Sequence, residues 1–330
     1  MISLVRTGSW LLILIVHFFF FTENVKAQLQ EISFRHLSTV DGLSNFTVLS
    51  IAQDQQGFMW FGTMDGLNRF DGKQIRTYRY SNRDSYSLGN NLVHSLLCTS
   101  DSGLWVGTGK GLYYYDYHHD DFHPVPVLKN NDDFNEDLEI KSMIYDDGFI
   151  WIGTSLGLFK YDLSNEHVVP YLSEQETIIA ETVEALHKSE DGNIWIGGKQ
   201  GLIVFQGGKL KRVDNDTNLK YSDASNVISI NSDKRGNIWF GTLDLETGLI
   251  IYNPKNDEFK ELNARDGYLA HNKVNCLYSF EDGKIWVGTT WGLSIIDQSD
   301  FTTQTLLYDR QNPKSISHNS ISPLFAEGLQ

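Results

Sequence analysis

The chain has 330 residues, a formal net charge of −15 and two cysteines, Cys98 and Cys276. A surface this acidic repels phosphate backbones, and no basic stripe interleaved with aromatics offsets it, so nucleic acid is excluded as a partner. Two cysteines exclude a disulfide-built scaffold.

The first expected element in chain order is a removable export signal over residues 1–27. Arg6 supplies the positive region, Trp10 to Phe21 the apolar stretch, and Val25-Lys26-Ala27 a small-residue cleavage site before Gln28. The apolar run is shorter than the ~20 residues of a spanning helix, and the polar TENVK segment follows it. Without the signal, 303 residues remain, with 25 basic and 41 acidic side chains and a net charge of −16. That length suits one large all-β unit, 28–330. No other long apolar run occurs, so the body of the chain is expected to be exported and to carry no membrane span.

Six tryptophans then recur at nearly even spacing: Trp60, Trp105, Trp151, Trp195, Trp239 and Trp286, separated by 45, 46, 44, 44 and 47 residues. Each sits in one phrase, from MWFGTMDGL at 59–67 to IWVGTTWGL at 285–293. A period of roughly 40–50 residues with short strands and a Trp/Gly signature means propeller blades. The expected fold is an all-β propeller of four-stranded blades. In the first unit the strands are read as Thr47 to Gln53, Phe58 to Thr63, Leu67 to Phe70 and Ile75 to Tyr80. Turns carrying Asp-Gly and Gly punctuate them, because Gly accepts the positive φ of hairpin turns. The periodic Trp is expected to fill the wedge between blades. The Gly two residues on (Gly62, Gly107, Gly153, Gly197, Gly241 and Gly288) leaves room for it. Cys98 and Cys276 fall in equivalent early strands of the second and sixth units, too far apart around a ring for a disulfide.

The ends of the chain add a seventh mark. Phe34 to Asn45 reads like Phe259 to Asn272, the outer strand of the fifth unit and the loop after it. Residues 31–37 are therefore expected to be an outer strand without inner partners. At the other end, His318-Asn319-Ser320-Ile321 opens an inner strand. The expectation is an incomplete seven-bladed ring, with six complete blades and parts of a seventh, in a chain that is a fragment of a longer sensor.

Asp41-Gly-Leu-Ser-Asn45, Gln53 to Thr63, Asp65 to Gly72 and Ser87 to Asn91 resemble the two-component regulator propeller repeat. The resemblance recurs six times and covers nearly all of the chain after the signal. It implies the N-terminal periplasmic sensor region of a hybrid two-component system histidine kinase, with carbohydrates as the usual signals. No kinase histidine box or ATP lid is present, so kinase activity is not expected in this chain.

Motifs of catalysis are not found. Gly107-Thr-Gly-Lys-Gly111 lacks the phosphate-loop spacing, and Asp214 to Asn218 lacks the sixth-position Gly and twelfth-position Glu of a calcium loop. The ten histidines form no HxxxH or HExxH set. His118-His119 lies in an acidic hairpin, where weak adventitious metal binding is the most expected, so the reading carries no catalytic residue, metal site or cofactor. Carboxylates such as Asp132, Asp133, Glu136 and Asp137 do not fix a glycosidase separation.

Binding is the remaining option. Loops between second and third strands vary on a fixed frame and emerge on the face where the loops joining blades also lie. A sugar site needs an aromatic plate and planar polar groups. Trp291, off the regular spacing, is the candidate plate. Asp65, Asn68, Arg69, Lys110, Lys199, Asp244 and Glu246 are candidate hydrogen-bonding partners, and His94 and His271 stand where they would edge the channel. The expected ligand is an oligosaccharide, with a second propeller or a second copy of the chain as a protein partner. The alternatives are an interaction scaffold without a small ligand, or an exported propeller hydrolase or lyase.

Overall fold

The structure is a computed structural model that describes residues 32–99, 103–126, 128–129, 133–134, 138–165, 167–171, 181–213 and 226–325. Met1–Arg35 and His36–Gln330 are separate compact units, and the propeller lies in the second. The export signal expected over 1–27 and the calcium-like stretch at 214–218 lie outside the described residues. No helix among the described residues is long and apolar enough to cross a membrane.

Six antiparallel sheets of four strands follow in chain order. Blade 1 holds β1 (Val48–Gln53), β2 (Met59–Thr63), β3 (Gly66–Phe70) and β4 (Ile75–Tyr78). Blade 2 holds β5 (Val93–Thr99), β6 (Gly103–Thr108), β7 (Gly111–Asp116) and β8 (Asp121–Val125). A ribbon of β9 (Leu128–Lys129) and β10 (Asp133–Phe134) precedes blade 3, which holds β11 (Ile140–Asp146), β12 (Phe149–Thr154), β13 (Gly157–Asp162) and β14 (His167–Pro170). Blade 4 is β15 (Val183–Lys188), β16 (Ile194–Gly198), β17 (Gly201–Gln206) and β18 (Lys209–Arg212). Blade 5 is β19 (Val227–Ser232), β20 (Ile238–Thr242), β21 (Leu249–Asn253) and β22 (Glu258–Leu262). Blade 6 is β23 (Val274–Ser279), β24 (Lys284–Thr289), β25 (Gly292–Asp297) and β26 (Thr303–Leu306). The strands read from the sequence of the first unit match to within two residues.

The periodic phrase does the packing expected of it. Trp60, Trp105, Trp151, Trp195 and Trp239 are all at most 3% exposed. Each meets an aromatic of the next blade: Tyr115, Tyr161, Phe205, Tyr252 and Phe301 respectively, with ring centroids 4.9–6.2 Å apart. Blade 6 has Ile296 where its neighbours carry an aromatic, and Phe301 from the β25–β26 turn takes the position at φ 62°. Each glycine after the Trp faces the first β-branched residue of the next inner strand. A Cβ on Gly153 would lie 2.7 Å from Val183 Cγ1 and 2.9 Å from its carbonyl. A side chain there would push adjacent blades apart.

Trp286 of blade 6 is half-buried and packs on Phe280 of its own blade. Beside it, a Cβ on Gly288 would meet Ile321 Cγ2 at 2.9 Å, as the glycines of earlier blades meet the next inner strand. The Ile321 amide donates to Thr289 O at 3.0 Å and the Gly292 amide to Asn319 O at 2.6 Å. At the other end, residues 32–37 form no strand. The outer strand expected there needs a third strand beside it for a hydrogen-bond ladder, and the sheets among the described residues offer none. Both thiols are free, Cys98 half-buried and Cys276 buried, and burial pushes each up to about 12.

Candidate ligand-recognition face

In an antiparallel four-stranded blade, the turn between second and third strands emerges at the same end as the link to the next blade. The final Thr of the WxGT phrase builds that turn. Thr63 Oγ1 donates to Gly66 O at 2.8 Å and accepts the Asp65 amide at 3.1 Å, and Thr108, Thr154 and Thr289 repeat the pattern. The first glycine of the third strand then donates its amide to the lead-in of the next blade, as Gly66 does to Asn91 O at 2.7 Å and Gly111 to Leu138 O at 2.7 Å. Rigid turns thus hold their tips outward. Met64, Leu156, Leu243, Leu245 and Trp291 occupy those tips in four blades and are 39–62% exposed. Large apolar side chains on such rigid tips form a surface fit for recognition.

The sequence candidates divide on this frame. Trp291 is 60% exposed, its backbone amide held by Thr289 Oγ1 at 3.1 Å. His271 lies beside it in blade 6, with Nδ1 capping the Lys273 amide at 3.0 Å and 2.9 Å from Thr290 Oγ1. Asp244 accepts the Glu246 amide at 2.7 Å inside the enlarged turn of blade 5, where Glu246 is exposed. Lys110 and Lys199 are exposed at the tips of blades 2 and 4. Asp65 is half committed, since its carboxylate pairs with Arg79 Nη2 at 3.0 Å and accepts Asn91 Nδ2 at 3.1 Å.

Two candidates are misplaced. Asn68 is fully buried, accepting the Ser44 amide at 2.9 Å and Thr77 Oγ1 at 3.0 Å while donating to Ser44 Oγ at 2.8 Å, so it offers a ligand nothing. Arg69 turns toward blade 2, where Nη1 donates to Tyr115 Oη at 2.8 Å and lies 3.5 Å from Asp120 Oδ1. Its guanidinium stacks over Phe58, 4.9 Å from the ring centroid. Both belong to a third strand sandwiched between neighbouring blades, which draws their polar groups inward.

His94 marks a second part of the face that spacing alone does not reveal. All six inner strands carry the same irregularity near their start, a register shift between the first and third residues. The extra residue in each is Leu49, His94, Lys141, Glu184, Ile228 or Asn275. A bulge re-aims its residue and recurs beside binding sites. In blades 2 to 4 the three are polar, and His94 and Lys141 meet on Glu139. His94 Nε2 lies 2.5 Å from Glu139 Oε1, off the line of a good hydrogen bond, and Lys141 Nζ lies 2.9 Å from the same oxygen. Burial and then the Lys141 ammonium push the His94 imidazole below its ordinary value, against Glu139 and Glu184. Burial works against the Glu139 carboxylate, yet Lys141 and then His94 hold it below the usual range. The group offers hydroxyls both donors and acceptors. Nearby in sequence order, Gln200 at the tip of blade 4 has both amide atoms buried without a partner among the described residues. Glu139, Lys141, Glu184 and Gln200 were absent from the sequence candidates. The second residue of each inner strand was the signal that marks two of them, Lys141 and Glu184.

The two-component regulator propeller family matches residues 41–65, 87–110 and 221–244. The chain carries two-component regulator propeller repeats. It is 40% identical over 74 residues to Histidine kinase P4 of Formosa agariphila, a match covering 22% of this chain and 5% of that protein. Among solved structures it is similar to the extracellular domain of the putative hybrid two component system BT3049 from B. thetaiotaomicron, at 25% identity and a TM-score of 0.70. That match covers 88% of this chain and 38% of the other. The extracellular domain of the putative hybrid two component system BT4673 from the same organism shares the fold, with a TM-score of 0.70, 23% identity, and coverage of 88% and 36%. The matched parts thus span a little over a third of the length of those solved chains and a twentieth of the curated relative.

Proposed function

We propose that this propeller is the exported, periplasmic ligand-sensing module of a two-component signalling protein, non-catalytic in itself, and that it recognises an oligosaccharide on the face formed by the second-to-third-strand turns. One observation carries the reading: the exposed Trp291 and the apolar tips of blades 1, 3 and 5 share that face with the half-buried His94, Glu139 and Lys141 group. A sugar ring has an apolar face for an indole and a hydroxyl edge for such donors and acceptors. The likeness to extracellular domains of putative hybrid two component systems supports the signalling context and the export signal over 1–27. A second propeller or a second copy of the chain is the protein partner that fits the same apolar tips.

The seventh blade belongs to the same proposal. The loop at 308–321 repeats that at 80–93: Tyr80 and Tyr308 donate their amides to Asn91 and Asn319 Oδ1 at 2.8 and 2.7 Å, and Ser87 and Ser315 Oγ accept the next amide at 2.9 and 3.0 Å. This supports Ile321 as the first residue of a seventh inner strand, equivalent to Val93.

Calorimetric titration with a panel of neutral and acidic oligosaccharides tests the reading. Saturable heat with one class, weakened at least tenfold by Trp291→Ala, is expected. An absence of heat across the panel, with capture of a protein partner by the same face, favours the interaction scaffold instead. Turnover of a polysaccharide, abolished by Glu139→Gln, favours the hydrolase or lyase.

A further inference from the structure

The outer hairpin of blade 2 holds side chains that the recognition face does not use. Asp116 ends β7 and Asp121 begins β8, and the two are direct cross-strand partners. Like charges placed opposite each other destabilise a ladder. No other blade pairs two carboxylates there: Asp162 faces His167 in blade 3, Gln206 faces Lys209 in blade 4 and Asn253 faces Glu258 in blade 5. The nearby arginines do not neutralise the pair, since Arg69 and Arg76 both engage Asp120, which turns the other way at φ 59°.

Imidazoles face the pair instead. His123 Nε2 lies 3.1 Å from Asp121 Oδ1 and 3.9 Å from Asp116 Oδ2, and these three atoms all fall within 4.8 Å of one another. His119 Nδ1 lies 2.7 Å from the same Asp116 oxygen. The ring of His123 is braced edge-on by Tyr86 at 5.3 Å. Asp121 Oδ1 is nevertheless buried with no hydrogen-bond donor among the described residues. Three donor atoms therefore converge, with Asp116 Oδ2 held by His119 and Asp121 Oδ1 left unsatisfied, an arrangement that a cation at their centre would complete.

We propose that Asp116, Asp121 and His123 form a zinc site that ties the β7–β8 turn of blade 2, with the exposed His119 released from its hydrogen bond to Asp116 to serve as fourth donor. Zinc bonds of about 2.0–2.2 Å in a tetrahedron set donors about 3.4 Å apart, between the separations observed here. Two imidazoles with two carboxylates favour a borderline ion over calcium or magnesium, which take oxygen ligands. Sequence spacing concealed the set because strand register, not adjacency, brings Asp116 to Asp121 and His123. The site lies at the end of the blade opposite the second-to-third-strand turns, so its role is independent of the ligand face.

The test is titration of the untagged chain with zinc chloride in a non-chelating buffer. One saturable site per chain is expected, with calcium and magnesium failing to compete. Asp121→Asn and His123→Gln should each weaken zinc at least tenfold, and Asp121→Asn, which removes the like-charge pair, should not lower the metal-free melting temperature. His118→Gln, outside the set, should bind as the parent does. X-ray absorption of the zinc-loaded parent, which needs no variant to fold, should show imidazole in an all N/O shell. The proposal is overturned by no one-to-one binding in the parent, by unaltered affinity in both variants, or by a shell lacking imidazole.

Discussion

At the residue scale, buried polar groups set the pH response. The His187 ring is largely withdrawn from solvent, with Nε2 2.8 Å from Ser232 Oγ, and burial lowers it from 6.5 to about 4. Below pH 6.5 the unfolded chain takes up a proton that the folded chain refuses until about pH 4. Stability from this group is therefore complete above pH 6.5 and is lost as pH falls from 6.5 to 4. The loss is at most about 3 kcal/mol, less to the extent that the ring keeps water. The melting temperature should drop across that window, and His187→Gln should flatten the drop. An identical pH slope in the variant would remove His187 as its source. Asp233 shows the structural counterpart: its buried carboxylate accepts the Trp239 indole at 3.0 Å and two turn amides at 2.9 Å. Asp233→Ala leaves those donors unpaired and should cost on the order of 2–3 kcal/mol in denaturant unfolding.

At the element scale, the blade interface rests on Trp, Gly and the next inner strand. Gly153→Ala forces a methyl against Val183 and should destabilise by about 1–3 kcal/mol, read from the denaturant midpoint. Trp239→Ala should cost about 3–5 kcal/mol, whereas half-buried Trp286, with no aromatic of a following blade on it, should cost about half as much. Equal losses would show that the outer side of blade 6 is covered as fully as the others. The blades were legible because Trp, Gly and turn residues recur with a mechanism for each. The candidate site was legible only at its rim. Trp291 broke the spacing and proved exposed, and the tip residues fell where topology put them. Asn68 and Arg69 misled because a third strand covered on both sides gives no apolar–polar alternation to say which way a polar group turns. Lys141 and Glu184 were hidden because a bulge shifts register without changing composition.

At the scale of the whole propeller, the bulge residues give the inner ring two characters. His94, Lys141 and Glu184 make blades 2 to 4 polar, Leu49 and Ile228 flank them with apolar side chains, and Asn275 of blade 6 donates to Ile321 O. An amphipathic ligand has a matching orientation on such a ring, its hydroxyl edge toward blades 2 to 4. Lys141→Met should accordingly weaken a sugar ligand several-fold while leaving the melting temperature nearly unchanged, which a titration and a thermal scan together would report. The most direct test of recognition by the turn face is hydroxyl-radical footprinting with and without the ligand that titrates. The account predicts protection of Trp291, Met64 and Leu245, with His123 and the other outer-hairpin residues unchanged. Protection confined to the outer hairpins, with Trp291 still fully reactive, would contradict it.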